Sequence, residues 1–108
     1  MTTKRTMYLV QLLLPLYDNN QQPFGRAIFD RVRNELAENF GGVTAFLRAP
    51  AEGVWQDEGG GVSHDEIVIF EVMTGQLDRA WWARYRTELA HRFKQEELIV
   101  RASEMEQL

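Results

Sequence analysis

The chain has 108 residues and a mass of 12.6 kDa, which is the size of one domain and too small for two ordinary ones. Its 44% hydrophobic and 26% charged residues are typical of a globular domain and exclude a disordered chain. The net charge of −4 argues against non-specific binding to nucleic acid or an anionic membrane, and the lack of cysteine excludes disulfides and thiolate metal sites. No apolar run reaches the ~20 residues of a membrane span, and the first residues lack a signal-peptide pattern, so we expect a soluble, cytoplasmic protein.

The first half of the chain predicts two strands separated by a helix. Residues 7–16 are almost wholly apolar and strand-length, and Pro15 should end the strand because proline has no N–H for a ladder. Pro23 then suits the first turn of a helix, which a pair of glycines stops before a second strand over residues 43–49. The apolar positions of that helix form one stripe: Phe24, Ile28, Phe29, Val32, Leu36 and Phe40.

The second half predicts a strand, a helix and a last strand. Residues 66–74 are rich in β-branched side chains, as in a strand. Asp78 suits the N-cap of the second helix. The inner stripe of this helix is Trp82, Tyr85, Leu89 and Phe93, with Trp81 on its shoulder. Residues 97–103 predict the last strand, and we expect the acidic tail beyond them to fray.

The order of these elements is strand, helix, strand, strand, helix, strand, which is the split βαβ or ferredoxin-like plan. We therefore expect an α+β fold with a four-stranded antiparallel sheet in the order 4-1-3-2 and both helices on one face. We expect one domain over residues 1–108, with an ordered core over about residues 7–103.

Alternation along the strands divides their side chains between two faces. One row of each strand is wholly apolar and should face the helices: Tyr8, Val10, Leu12 and Leu14, then Val68, Phe70 and Val72, then Leu98, Val100 and Ala102. The opposite rows are mixed, and the strand midpoints place Gln11, Glu71 and Arg101 side by side on the open face. The phase of the second strand stays open, and with it whether Arg48 or Leu47 faces the same way.

The open face is too apolar to remain in water. Its apolar members are Leu9, Leu13, Phe46, Ile67, Ile69, Met73 and Ile99. Such a patch exceeds what a monomer usually exposes. We therefore expect a second copy to cover it, sheet against sheet, in a two-fold homodimer.

In element order, length and apolar open face, residues 7–103 resemble the dimeric α/β-barrel superfamily. Residues 40–46 (FGGVTAF) and 50–55 (PAEGVW) are similar to a signature of uncharacterised small bacterial proteins, which carries no assigned activity. The superfamily includes cofactor-free monooxygenases, muconolactone-isomerase-like enzymes, haem proteins and modules of no known activity. The resemblance assigns no catalytic set to this chain, and neither His64 nor His91 matches a haem-ligand position.

The polar row of the open face is the best candidate for function. A carboxylate in a partly dry cavity, such as Glu71, can act as an acid, a base or an anchor. Arg101 or Arg48 would hold an anionic ligand, Gln11 would orient it, and Trp55 would line the pocket. The leading hypothesis is a cofactor-independent homodimer that binds a small molecule.

Two alternatives stay open beside that hypothesis. The first is a cofactor-free isomerase or monooxygenase-type enzyme in which Glu71 is the catalytic acid and base. The second is a structural or protein-interaction module without a pocket, in which Glu71 and Arg101 form only a structural ion pair.

The remaining motifs predict no further site. The two histidines lack the spacing of a metal site, and the three glycines at 59–61 join strands rather than opening a phosphate-binding helix. His64 is more simply an exposed loop histidine than a proton shuttle. The second helix is rich in arginine, but the strands lack the aromatic surface of an RNA-binding sheet. We expect no metal, no nucleic acid and no membrane partner.

Overall fold

The computed structural model describes residues 5–48 and 66–108, with the backbone alone for Arg5 and residues 45–48. The elements are β1 (Arg5–Pro15), α1 (Arg26–Phe40), β2 (Thr44–Arg48), β3 (Ile67–Thr74), α2 (Arg79–Arg92) and β4 (Ile99–Gln107). The predicted α+β class and the two helices are confirmed. Within the described ranges, neither helix has the length and apolar character needed to cross a membrane.

The strands form one sheet in the order β2-β3-β1-β4, and every neighbouring pair is antiparallel. Viewed from its other edge, this is the 4-1-3-2 order expected from the sequence. β1 pairs with β3 from Tyr8 to Pro15 and with β4 from Arg5 to Leu13. β1 and β3 are therefore the two inner strands, and β2 and β4 are the edge strands.

The acidic tail does not fray as predicted. β4 continues to Gln107, because β1 begins at Arg5 and supplies backbone partners as far as the Arg5–Gln107 pair. Beyond the Tyr8–Thr74 pair, where β3 ends, β1 and β4 continue as a two-stranded ribbon. The sequence analysis ended this strand at residue 103 because the residues beyond it have no continuous apolar row. A two-stranded ribbon packs against no core and therefore needs no such row.

The core lies between the sheet and the two helices. It contains the predicted helix-facing row and the predicted inner stripes: Val10, Leu12, Leu14, Phe70, Val72 and Leu98 from the sheet side, and Val32, Leu36, Trp82, Tyr85, Leu89 and Phe93 from the helix side. Tyr8 and Ala102 belong to the same row by alternation, but Tyr8 is only half-buried and Ala102 is exposed. Ala102 lines a cleft beside α2 instead of packing beneath it.

The first helix begins later than the sequence predicts. Its N-cap is Gly25, and Pro23 lies outside the helix, bridged to Tyr17. The Asp18 carboxylate accepts hydrogen bonds from the backbone N–H groups of Asn20 and Gln22, at 2.8 and 2.9 Å. This side-chain-stabilised turn brings Pro23 opposite Tyr17 and delays the start of the helix.

The second helix begins as predicted. The Asp78 carboxylate accepts a hydrogen bond of 3.1 Å from the backbone N–H of Trp81, as an N-cap residue does. This bond satisfies one of the N–H groups that the first turn leaves without a helical partner. It holds the start of α2 next to the buried Trp82.

Replacing Asp78 with alanine is expected to lower the free energy of unfolding by about 1 kcal/mol, because an N–H of the first turn loses its acceptor. Urea denaturation followed by circular dichroism would measure the loss. Asp78→Asn is the matched control, since asparagine caps helices about as well as aspartate. Equal losses in the two variants would contradict a capping role.

Candidate functional site

The three polar residues of the open face meet in one row across the three long strands. Gln11 is paired with Glu71 of β3 on one side and with Arg101 of β4 on the other, as the strand midpoints predicted. Gln11 Nε2 donates a hydrogen bond of 2.7 Å to Glu71 Oε2, and Arg101 Nε donates one of 2.8 Å to Gln11 Oε1. We refer to these three residues as the polar row.

The chemistry of the two outer residues determines the orientation of the Gln11 amide. A guanidinium only donates hydrogen bonds and a carboxylate only accepts them. The amide oxygen must therefore face Arg101, and the amide nitrogen must face Glu71. This arrangement satisfies the amide at both ends and fixes the side chain in one orientation.

The polar row separates its two charges instead of pairing them. Glu71 and Arg101 lie two strand spacings apart, which is roughly 10 Å, and Gln11 stands between them. Glu71 and Gln11 are half-buried, whereas Arg101 is exposed. Each charged end keeps groups for another partner, because the bonds to Gln11 occupy one oxygen of Glu71 and one nitrogen of Arg101 within the described residues.

The apolar surface around the polar row is less uniform than the sequence predicts. Ile69 is only 4% exposed, whereas Met73 is 44% and Ile99 53% exposed. Ile69 lies on an inner strand between β1 and β2, which reduces its contact with water. Met73 lies beyond the last pair of β2, and Ile99 is on an edge strand, so both remain open.

The second strand places Thr44, not Arg48, beside Glu71. The register pairs Thr44 with Glu71 and Arg48 with Ile67, so Arg48 is four residues, or roughly 13 Å, farther along the strand. The side chain of Arg48 lies outside the described structure. Trp55, His64 and the glycines at 59–61 also lie outside the described residues, so their predicted roles stay predictions.

Sequence analysis missed a cluster that joins the two helices. The guanidinium of Arg92 on α2 makes two hydrogen bonds to the carboxylate of Glu35 on α1, at 2.6 and 3.1 Å. It also bonds Glu88 at 3.0 Å, and the Tyr85 hydroxyl donates to Glu35 at 3.1 Å. Only the Glu88–Arg92 spacing of four residues was a visible signal, because Glu35 is 57 positions away.

The electrostatics of this interhelical cluster favour its charged form. Burial raises the pKa of Glu35, but the hydrogen bond and charge of Arg92 outweigh burial, so the net pKa lies below its usual value. The hydrogen bond from Arg92 to Glu35 raises the pKa of Arg92, although burial opposes it. Burial, and then the charge of Glu35, raises the pKa of Tyr85, so its hydroxyl stays protonated and donates.

The comparisons with known proteins show a likeness of fold and no likeness of sequence family. No protein-family model and no curated protein sequence matches it. Among solved structures, a phage SAM lyase in complex with S-methyl-5'-thioadenosine is similar, with a TM-score of 0.57 and 15% identity. The match covers 94% of this chain and 85% of that one. At this identity the likeness shows the ferredoxin-like fold alone, and the expected bacterial branch stays a prediction.

Proposed function

We propose that this protein is a homodimer that binds a small molecule over the polar row of its open sheet face. The observation that carries the proposal is the hydrogen-bonded chain from Arg101 through Gln11 to Glu71 across the sheet. A row that served only to neutralise its own charges would pair them directly. Here the amide holds the two charged groups apart and leaves both available.

The free groups define the ligand chemistry. Arg101 offers guanidinium N–H donors to an anionic or carbonyl oxygen. Glu71 offers a carboxylate oxygen to a hydroxyl or amine donor at the other end of the row. A ligand with an acceptor and a donor separated by roughly the width of two strand spacings would satisfy both ends.

A second copy of the chain supplies the enclosure in this proposal. Met73 and Ile99 lie on the open face and expose about half of their side chains. Packing two such faces around a two-fold axis buries these side chains and removes water from the polar row. Water removal strengthens every hydrogen bond that a ligand makes there.

The first ligand to test is S-methyl-5'-thioadenosine, which is bound in the phage SAM lyase of similar fold. Its ribose hydroxyls are donors for Glu71, and its adenine nitrogens are acceptors for Arg101. We infer a nucleoside-sized ligand for the polar row from this match of donors and acceptors.

The oligomeric state is tested by light scattering after gel filtration. A dimer has a mass of 2 × 12.6 = 25.2 kDa. We expect that mass for the native protein and the monomer mass for Ile99→Lys, since a buried ammonium would oppose packing of the two faces. Glu104→Lys on the same edge strand is the control and should stay dimeric. A native monomer would overturn the dimer proposal.

Binding is tested by titrating S-methyl-5'-thioadenosine in a calorimeter. Glu71→Gln removes the charge and one acceptor, so we expect its Kd to rise about tenfold, equivalent to ~1.4 kcal/mol. Glu104→Gln, which neutralises an exposed glutamate outside the polar row, should leave Kd unchanged. Equal Kd values for Glu71→Gln and the native protein would contradict the site.

A cofactor-free enzyme is the second candidate. The observation that favours it is the second carboxylate oxygen of the half-buried Glu71, which accepts no hydrogen bond among the described residues and could accept a proton from a substrate. Chromatography of S-methyl-5'-thioadenosine and of SAM incubated with the protein would detect turnover. Product formation that disappears in Glu71→Gln would favour this enzyme, whereas binding without turnover would favour the binding protein. Stability changes alone would indicate the module without a pocket.

A further inference from the structure

A cleft lies on the helix-covered side of the sheet, at an edge that Arg101 of the polar row also borders. It has a volume of about 260 Å³ and opens between α2 and the strands β1 and β4. We propose that it binds a small amphipathic anion, namely a compact apolar body that carries one carboxylate or sulfonate group. The other lining residues lie on the helix-covered side of the sheet, so this site does not require the proposed function, although Arg101 borders both sites.

The floor of the cleft is apolar and rigid. It is formed by Val10 and Val100 of the sheet together with Leu77 and Trp82 at the start of α2. Val10 and Trp82 are core residues, only 1% and 6% exposed, so their surfaces in the cleft are fixed by packing on the other side. An apolar ligand body placed on this floor would gain roughly 25 cal/mol for each Å² of apolar surface removed from water.

Two alanines create the space. Ala83 on α2 and Ala102 on β4 both line the cleft, and both are exposed. The methyl side chains of these alanines are too short to fill the gap between the helix and the edge strand. The cleft is therefore a consequence of small side chains at matching positions on two elements.

Two arginines give the cleft its charge preference. Arg79 and Arg86 line it, and they are seven residues apart on α2, which is two helical turns or roughly 10 Å. Within residues 5–48 and 66–108, neither takes part in an ion pair. By contrast, Arg92 on the same helix is paired with both Glu35 and Glu88.

The other charges near the cleft do not cancel these two. Arg101 also borders it, although its Nε is engaged by Gln11. Glu96 and Glu97 share a neighbouring depression with Arg86 but form no ion pair with it among the described contacts. The positive end of the α2 dipole lies beside Arg79, and the Asp78 carboxylate that caps this end offsets part of it. Three arginines and no acidic residue line the cleft among the described residues, so its lining favours an anion.

The size of the cleft limits the ligand. Pockets for drug-sized molecules span about 300 to 1,000 Å³, so this cleft suits a short chain or a single ring. A bare inorganic anion would leave the apolar floor uncovered, and a neutral apolar molecule would leave both guanidinium groups unused. A short-chain carboxylate uses both parts of the site.

The test is a titration of the ¹⁵N-labelled protein with octanoate, followed by NMR. We expect saturable shifts at the Trp82 indole N–H and at backbone amides of α2 and β4 that border the cleft. The neutral probe 1-octanol should bind at least fivefold more weakly. Arg79→Gln and Arg86→Gln should each raise the Kd for octanoate at least threefold.

Arg84→Gln is the matched control, because Arg84 is an exposed arginine on α2 that does not line the cleft. Its Kd for octanoate should equal that of the native protein. The proposal is overturned by equal binding of the two probes, by an equal effect of Arg84→Gln, by absence of saturable shifts, or by shifts confined to the open face. Shifts at the cleft that depend on protein concentration without any probe would assign it to a second copy of the chain and would also overturn it.

Discussion

Replacing Trp82 with alanine is expected to lower the free energy of unfolding by about 3 to 5 kcal/mol. Trp82 is 6% exposed, and its ring stacks on Phe40 at 5.0 Å with an interplanar angle of 12°. It also meets Trp81 edge to face at 4.8 Å. The substitution leaves a large cavity between α1, α2 and the sheet, because the surrounding rings are held by their own contacts. Guanidinium denaturation followed by circular dichroism would measure the loss.

The adjacent tryptophan provides the control. Trp81 is half-buried and stacks on Tyr85 at 4.9 Å, so water can reach part of the space that its removal leaves. We expect Trp81→Ala to cost about half as much as Trp82→Ala, on the order of 2 kcal/mol. If Trp82→Ala does not fold, Trp82→Phe should still be the less stable of the pair Trp82→Phe and Trp81→Phe. A larger loss at position 81 would contradict the packing.

Replacing Arg92 with methionine is expected to lower the free energy of unfolding by about 2 to 3 kcal/mol. Removing one partner of a buried ion pair costs about 3 to 5 kcal/mol. The loss expected for Arg92→Met lies below that range because the Glu35 side chain is 29% exposed and water can still solvate its carboxylate. The Arg92 side chain itself is only 10% exposed. Methionine keeps most of the side-chain volume, so the loss measures the hydrogen bonds between the helices. Arg84→Met, at an exposed position on the same helix, should change stability by less than about 0.5 kcal/mol.

The pH dependence of stability separates this interaction from simple packing. The folded pKa of Glu35 lies below its ordinary value of 4.5, mainly because Arg92 outweighs the effect of burial. Its contribution is therefore fully present above the unfolded pKa and is lost as the pH falls through the folded pKa. The stability difference between the native protein and Glu35→Gln should hold from pH 7 to about 5 and shrink below 4.5. A difference that stays constant down to pH 3 would contradict a role for the carboxylate charge.

The sequence by itself determined the elements, the class of fold and the composition of both sheet faces. Alternation with a period of two is a local property, so it separated the buried Leu12 from the half-buried Gln11 without any knowledge of the partner strands. The apolar spacing of α2 identified its inner stripe in the same way. The polar row was also predictable, because the midpoints of three strands in an antiparallel sheet fall opposite one another.

Only the tertiary structure decided which of these positions interact and which stay open to a ligand. Glu35 and Arg92 are 57 positions apart, and their bidentate contact exists because the sheet places α1 beside α2. The cleft at Arg79 and Arg86 depends on the distance between a helix and an edge strand, which no local pattern encodes. Neighbours in sequence determine where a side chain faces, but long-range packing determines what stands opposite it and how much water remains between them.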